Sequence, residues 1–244
     1  MKNVWFLIIG LSLCFTSCTK EDLQSVLNGN GALTNEEVIR GLREALNVGT
    51  DTSVSVLHKL NGYYGDAAVK ILLPPEAVVV YEQLNKIPGG SDLLEKTILA
   101  MNRAAEDAAT EAKPIFVNAI KDITITDGFN ILQGNDTAAT AYLQGKTYNP
   151  LFSLFQPKIN ASLSKPLVLG MSAEETYSNL ISAYNTASLN GILFAQIKTN
   201  SLSEHVTTKG LNGLFLKVAE QEKKIRKDPL AQVTDLLKRV FGSK

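Results

Sequence analysis

TNEEVIRGLREALNVGTDTSVSVLHKLNG, residues 34–62, decides the fold class. Its opening, Thr34-Asn35-Glu36-Glu37, is a capping box: the threonine oxygen and the glutamate three positions on satisfy backbone amides that a helix start leaves free. Ile39, Leu42, Leu46, Gly49, Ser53, Val56 and Leu60 follow at steps of three and four, so one stripe faces a core. The pattern predicts a long helix that stops near Asn61-Gly62.

Downstream, the same signals recur. Asp66–Leu72 allows a short turn of helix before Pro74-Pro75, where the prolines permit a new helix and forbid continuation of an old one. Glu76–Lys86 is expected to be helical although Val78-Val79-Val80 alone favours strand. Pro88-Gly89-Gly90 breaks the chain, and Ser91 is the expected cap of a helix through the Ala-rich run Ala100–Ala112. Pro114 marks a kink there or a fresh start for Ile115–Ile120, because an interior proline costs about 3 kcal/mol.

Thr126 and Asp136 are the expected caps of two short helices. Pro150–Leu163 sets Leu151, Phe152, Leu154, Phe155 and Ile159 near helical spacing, with a bend at Pro157. Ser172-Ala173-Glu174-Glu175 is a second capping box, followed by Tyr177, Leu180, Ile181 and Tyr184 at a spacing that suits core packing rather than a ligand site. Thr186–Asn200 lacks periodicity and reads as a covered loop or a short hairpin. Ser201-Leu202-Ser203-Glu204 caps a long helix to Arg226, and Asp228-Pro229 restarts the chain for a last stripe of Leu230, Val233, Leu237 and Val240. The expected fold is all-α: a single multi-helix domain over residues 34–244, without coiled-coil heptads or a repeat of fixed period.

The N-terminus has the zones of an export signal: Lys2, the apolar run Val4–Leu13, then small Thr16 and Ser17. The run falls short of the about 20 apolar residues that span a bilayer. Residues 1–17 are therefore expected to be a cleaved signal peptide, and 18–33, with Asn28-Gly29-Asn30-Gly31, a lipidated cysteine and flexible tether. Phe15-Thr16-Ser17-Cys18 resembles the lipobox of bacterial lipoproteins, with Phe15 in place of the usual leucine. The resemblance implies acyl chains such as palmitate on Cys18, and hence an outer-membrane lipoprotein whose first partner is the membrane itself. Each buried methylene contributes about 0.8 kcal/mol, and one chain alone holds only marginally. Thr19-Lys20-Glu21-Asp22 resembles the surface-export signal of Bacteroidota lipoproteins and reads equally as a plain polar tether, so the domain faces the periplasm or the cell surface.

Loss of the signal would leave Cys18 as the one cysteine, so the mature chain has no disulfide. Basic and acidic residues number 24 each, which gives no basic field for nucleic acid. The only histidines, His58 and His205, stand apart without ligand spacing, and Asp122–Asp136 lacks the alternating carboxylates of a calcium loop, so neither a metal nor another cofactor is expected. Ser203-Glu204-His205 is not a triad, because neighbours on one helix point apart. Nucleophile elbows and phosphate loops are missing from the sequence.

Four blocks carry a family resemblance: Gly41–Thr50, Met101–Glu106 continuing to Lys113-Pro114-Ile115-Phe116, Ile131–Thr140, and Gly213-Leu214-Phe215 through Glu222–Arg226 to Asp228-Pro229. Together they resemble a bacterial lipoprotein family known as domain of unknown function 4197. The resemblance runs from Thr34 to Phe241 and implies export and a helical fold, without an established activity, substrate or cofactor. His205 stands where the family usually shows an aromatic residue, and Thr186–Asn200 matches poorly.

One polar cluster interrupts the Ala-rich helix. Asn102, Glu106, Ala109 and Lys113 fall on one face among small residues, with Arg103 and Glu111 beside them. Small neighbours let another helix approach, which buries the stripe and requires partners for it. Glu220, Glu222, Lys223 and Arg226 are the expected source, with Arg103 and Arg226 as bases for Glu106. Two readings follow: a structural ion-pair network in a membrane-anchored module that binds an envelope protein or a small hydrophobic ligand, or an envelope hydrolase pairing Glu106 with Glu220 or Glu222.

Overall fold

The computed structural model describes residues 33–80, 90–168, 170–187, 189, 191–193, 195–198 and 201–242. The expected signal peptide, Cys18, nearly all of the tether and most of the expected Glu76–Lys86 helix lie outside these residues. The fold is all-α, and Asn35–Lys244 forms one domain.

Helix α1 (Asn35–His58) begins directly after Thr34 and buries Ile39, Leu42, Leu46, Gly49 and Ser53 as the spacing predicts. Farther along, the buried positions are Val54 and Leu57, while Val56 and Leu60 are exposed. A period of 3.6 carries the face from Ser53 to Leu57, and the helix ends before Leu60. Asp66–Leu72 holds turns only, Pro75–Ala77 is a 3-10 turn, and residues 78–80 are helical. Helix α2 (Gly90–Ala108) already contains Ser91, which is therefore not its cap. Pro114 marks the fresh start: a 3-10 turn at Ala109–Glu111 separates α2 from α3 (Ala112–Lys121), and the proline sits in the first turn of α3, where no amide is needed.

Helix α4 (Ile125–Gln133) is capped by Thr124, not Thr126, through a reciprocal box with Asp127. Helix α5 (Ala138–Leu163) has Thr137, not Asp136, at its cap position and runs unbroken through Pro150 and Pro157. Both prolines are exposed, while Leu143, Thr147, Leu151, Phe155, Ile159 and Leu163 bury a continuous face. That packing offsets the about 3 kcal/mol that an interior proline costs. A two-stranded hairpin, β1 (Pro166–Val168) and β2 (Met171–Ser172), turns through Gly170 at φ +80°.

Helix α6 (Ala173–Ala187) opens on the expected box, with the Glu175 amide donating to Ser172 Oγ and the Ser172 amide to Glu175 Oε2. After it, Leu189, Ile192 and Leu193 are exposed rather than covered; Ile197 alone of the described apolar residues there is buried, its backbone held both ways by the Asn185 side chain. Helix α7 (Leu202–Lys227) starts as expected, although Ser201 makes no side-chain cap bond. Helix α8 (Asp235–Phe241) is capped by Thr234 and buries Leu237 and Val240. Leu230 and Val233 precede it and are exposed, so they do not extend its stripe.

Helix α7 packs on α1, α2 and α5 and is the axis of the bundle. Helix α1 runs antiparallel to it: Gly49 meets Gln221 and Ile225 of α7, and Gly41, nearer the start of α1, meets Val240 of α8. Gly213 lets Tyr63 lie against α7, because a Cβ there would stand 2.9 Å from Tyr63 Cε1. Phe116 and Phe215 meet edge to face at 5.9 Å within the core.

Candidate functional site

Residues 61–72 cross the bundle without regular structure, so their buried amides and carbonyls need side-chain partners. The polar face of α2 supplies them. Glu106 Oε1 accepts the Tyr63 and Tyr64 amides at 3.1 and 3.2 Å, and its Oε2 binds the Arg103 guanidinium, which also donates to Asn61 Oδ1 at 2.8 Å. Asn102 brackets Ile71: Oδ1 accepts the Ile71 amide and Nδ2 donates to the Ile71 carbonyl, each at 2.8 Å. Asn61 enters the segment in the left-handed region, at φ +67°.

Residues outside the expected cluster complete this strap. Tyr63 donates its hydroxyl to the Gly210 carbonyl at 2.7 Å, and burial, then the Glu106 charge, push its phenol far above the usual range, which keeps that donor protonated. Lys217 bridges Asp66 at 2.7 Å and Glu220 at 2.9 Å. Its hydrogen bond, followed by one from the Ala68 amide, holds the Asp66 carboxyl below the ordinary range. His58 Nδ1 donates to the Glu106 carbonyl and His205 Nε2 to the Leu72 carbonyl, so each histidine braces backbone.

A second clasp lies at the corner between α4 and α5. Glu222, buried on α7, accepts the Ala139 and Thr140 amides at 3.0 and 2.8 Å and the Thr140 hydroxyl at 2.8 Å. Arg226, one turn on, donates to Glu222 Oε1 at 2.9 Å and to the Ile131 carbonyl at 2.8 Å. A carboxylate thus meets the amide end of α5 and a guanidinium the carbonyl end of α4, each the favoured sign for that helix dipole. Asp136 turns away to pair with Lys227, whose hydrogen bond lowers its carboxyl. Thr137 makes no side-chain cap bond, and Glu222 fills that role from another helix.

The structure therefore divides the cluster read from the sequence. Arg103 does pair with Glu106, but Arg226 belongs to Glu222, Glu220 to Lys217, and Lys113 makes an exposed bridge with Asp51. Ala105 packs beside Gly210. Glu222 lies twelve positions after Gly210 on α7, roughly 18 Å along the axis. Paired glycosidase carboxylates stand about 5 to 10 Å apart. Among the described residues no group of three or more His, Cys, Asp or Glu side chains is placed to hold a metal ion.

A cleft of about 470 Å³ opens beside the second clasp, lined by Gln133, Asp136, Lys227, Pro229 and Gln232 among others. A groove of about 460 Å³ runs over Leu99, Ala100 and Ala104 between Lys96 and Lys165. Both are open to solvent, and neither exposes a carboxylate of the clasps.

A family model described as Protein of unknown function (DUF4197) matches residues 32–242, and the chain belongs to that family. No curated protein and no solved structure matches the chain.

Proposed function

We propose that this family member is a bacterial envelope lipoprotein, exported by residues 1–17 and anchored to the outer membrane through acylated Cys18. In this reading its helical domain binds an envelope protein or a small hydrophobic ligand rather than catalysing a reaction. Saturation of the buried carboxylates carries the non-catalytic half of the proposal. Glu106 takes two backbone amides and a guanidinium, and Glu222 takes two amides, a hydroxyl and a guanidinium. A general acid or base must instead come within hydrogen-bond reach of a reacting group. Supporting the anchored half are the export signal and the lipobox-like Phe15-Thr16-Ser17-Cys18. Among the described residues no helix is long and apolar enough to cross a membrane, and the acyl chains make the attachment.

The purified protein, screened against glycans, esters and peptides beside Glu106→Gln and Glu222→Gln, tests the binding reading. The expected result is no turnover that depends on either carboxylate. Wild-type turnover that vanishes in a variant with a native melting temperature would overturn it.

A further inference from the structure

The tether enters the domain at α1, whose first turn is fixed to α8 by Glu37 and Arg239 at 2.9 Å. Residues 228–234 join α7 to α8 at this same end of the bundle, opposite the start of α7. Two large apolar side chains are exposed there, Leu230 at 89% and Val233 at 64%. They stand on a fixed backbone. Asp228 accepts the Leu230 amide at 2.9 Å, the Ala231 amide donates to the Asp228 carbonyl, and buried Gln232 donates to the Ile225 carbonyl at 3.1 Å. The segment therefore presents Leu230 and Val233 outward without further ordering; of the basic groups nearby, Lys227 pairs with Asp136, Lys238 with Asp235 and Arg239 with Glu37, while Lys223 and Lys224 stand exposed at the end of α7.

We infer that this end docks on the bilayer that holds the acyl anchor, with Leu230 and Val233 entering its apolar region. The inference rests on the anchored reading above and adds an orientation to it. Leu33 lies fifteen positions after Cys18. Fully extended, that stretch reaches about 50 Å, so the tether alone does not force contact. What the tether does is raise the local concentration of the bilayer, so that two side chains too few to bind a free protein suffice for an anchored one.

The test uses the acylated full chain in phosphatidylcholine vesicles with brominated acyl chains. An environment-sensitive probe is placed at Leu230→Cys or, as a control, at Ile192→Cys, an exposed residue in the loop leading into α7. Acylation of Cys18 leaves the introduced cysteine as the one free thiol of the mature protein. Expected are strong quenching and a blue shift at position 230, with neither at 192. A probe at Val233→Cys should likewise be quenched and should lose quenching when Leu230→Asp is added. Flotation reports the anchor separately. Protein that does not float with the vesicles overturns the anchored reading and the docking with it. Protein that floats with an unquenched 230 probe, or with equal quenching at 192, overturns docking alone.

Discussion

Removal of the Glu106 carboxylate is the perturbation whose cost follows most directly from the geometry. In Glu106→Ala the Tyr63 amide, fully buried, and the Tyr64 amide, partly buried, lose their acceptor. A buried donor left unmade costs about 1 to 3 kcal/mol. Arg103 loses its carboxylate too, but its side chain is 34% exposed and keeps Asn61, so that loss is about 1 kcal/mol or less. The sum is about 2 to 5 kcal/mol, carried by the amides rather than by a stranded base. For a domain of this size each kcal/mol lowers the melting temperature by about 2 to 4 °C, so a fall of roughly 4 to 20 °C is expected. Glu106→Gln keeps one acceptor oxygen and should fall by less. Scanning calorimetry on the unacylated protein reads both. An unchanged or raised melting temperature in the alanine variant would refute the reasoning, because it is the mark of a carboxylate held under strain for function.

Glu222→Ala removes the acceptor of two amides and a hydroxyl and leaves the Arg226 charge, on a side chain only 10% exposed, with the Ile131 carbonyl alone; urea melts should show a loss of about 3 to 5 kcal/mol. Gly213→Ala drives a methyl into Tyr63 and Val69 and should cost about 1 to 3 kcal/mol, with hydrogen exchange quickening first across residues 63–71. Asp66 has a folded pKa depressed by Lys217 and then by the Ala68 amide, so its contribution is present above the ordinary carboxylate value of about 3.9 and is lost as pH falls through the folded value. Asp66→Asn should therefore lower stability near neutrality and flatten its further decline below about pH 4, as read by melting temperature against pH.

Periodicity made α1 legible and capping chemistry the opening of α6, because each signal is local to the element it forms; α7 starts where its box was read, but without a Ser201 cap bond. Thr124 was legible too: it has an acid three residues on, Asp127, whereas Thr126 has Phe129 there. Helix α5 hid its true length, since proline spacing tells of a local penalty and not of the buried face that offsets it. The Arg103–Glu106 pair lay within one turn and could be read. The remaining partners of Glu106 could not, because they are amides of an irregular segment, and a backbone group leaves no side-chain signature. Glu222 capping α5 from about 80 residues away is likewise a product of packing, although Asn135, Asp136 and Thr137 marked the corner it serves.

The anchored reading turns on Cys18, and metabolic labelling with a radioactive fatty acid followed by cell fractionation tests it most directly. A labelled wild-type protein in the membrane fraction is expected, with a Cys18→Ser protein that is unlabelled, folded and absent from that fraction. A Cys18→Ser protein still labelled or still in the membrane pellet, or a wild-type protein that takes up no label, would contradict it.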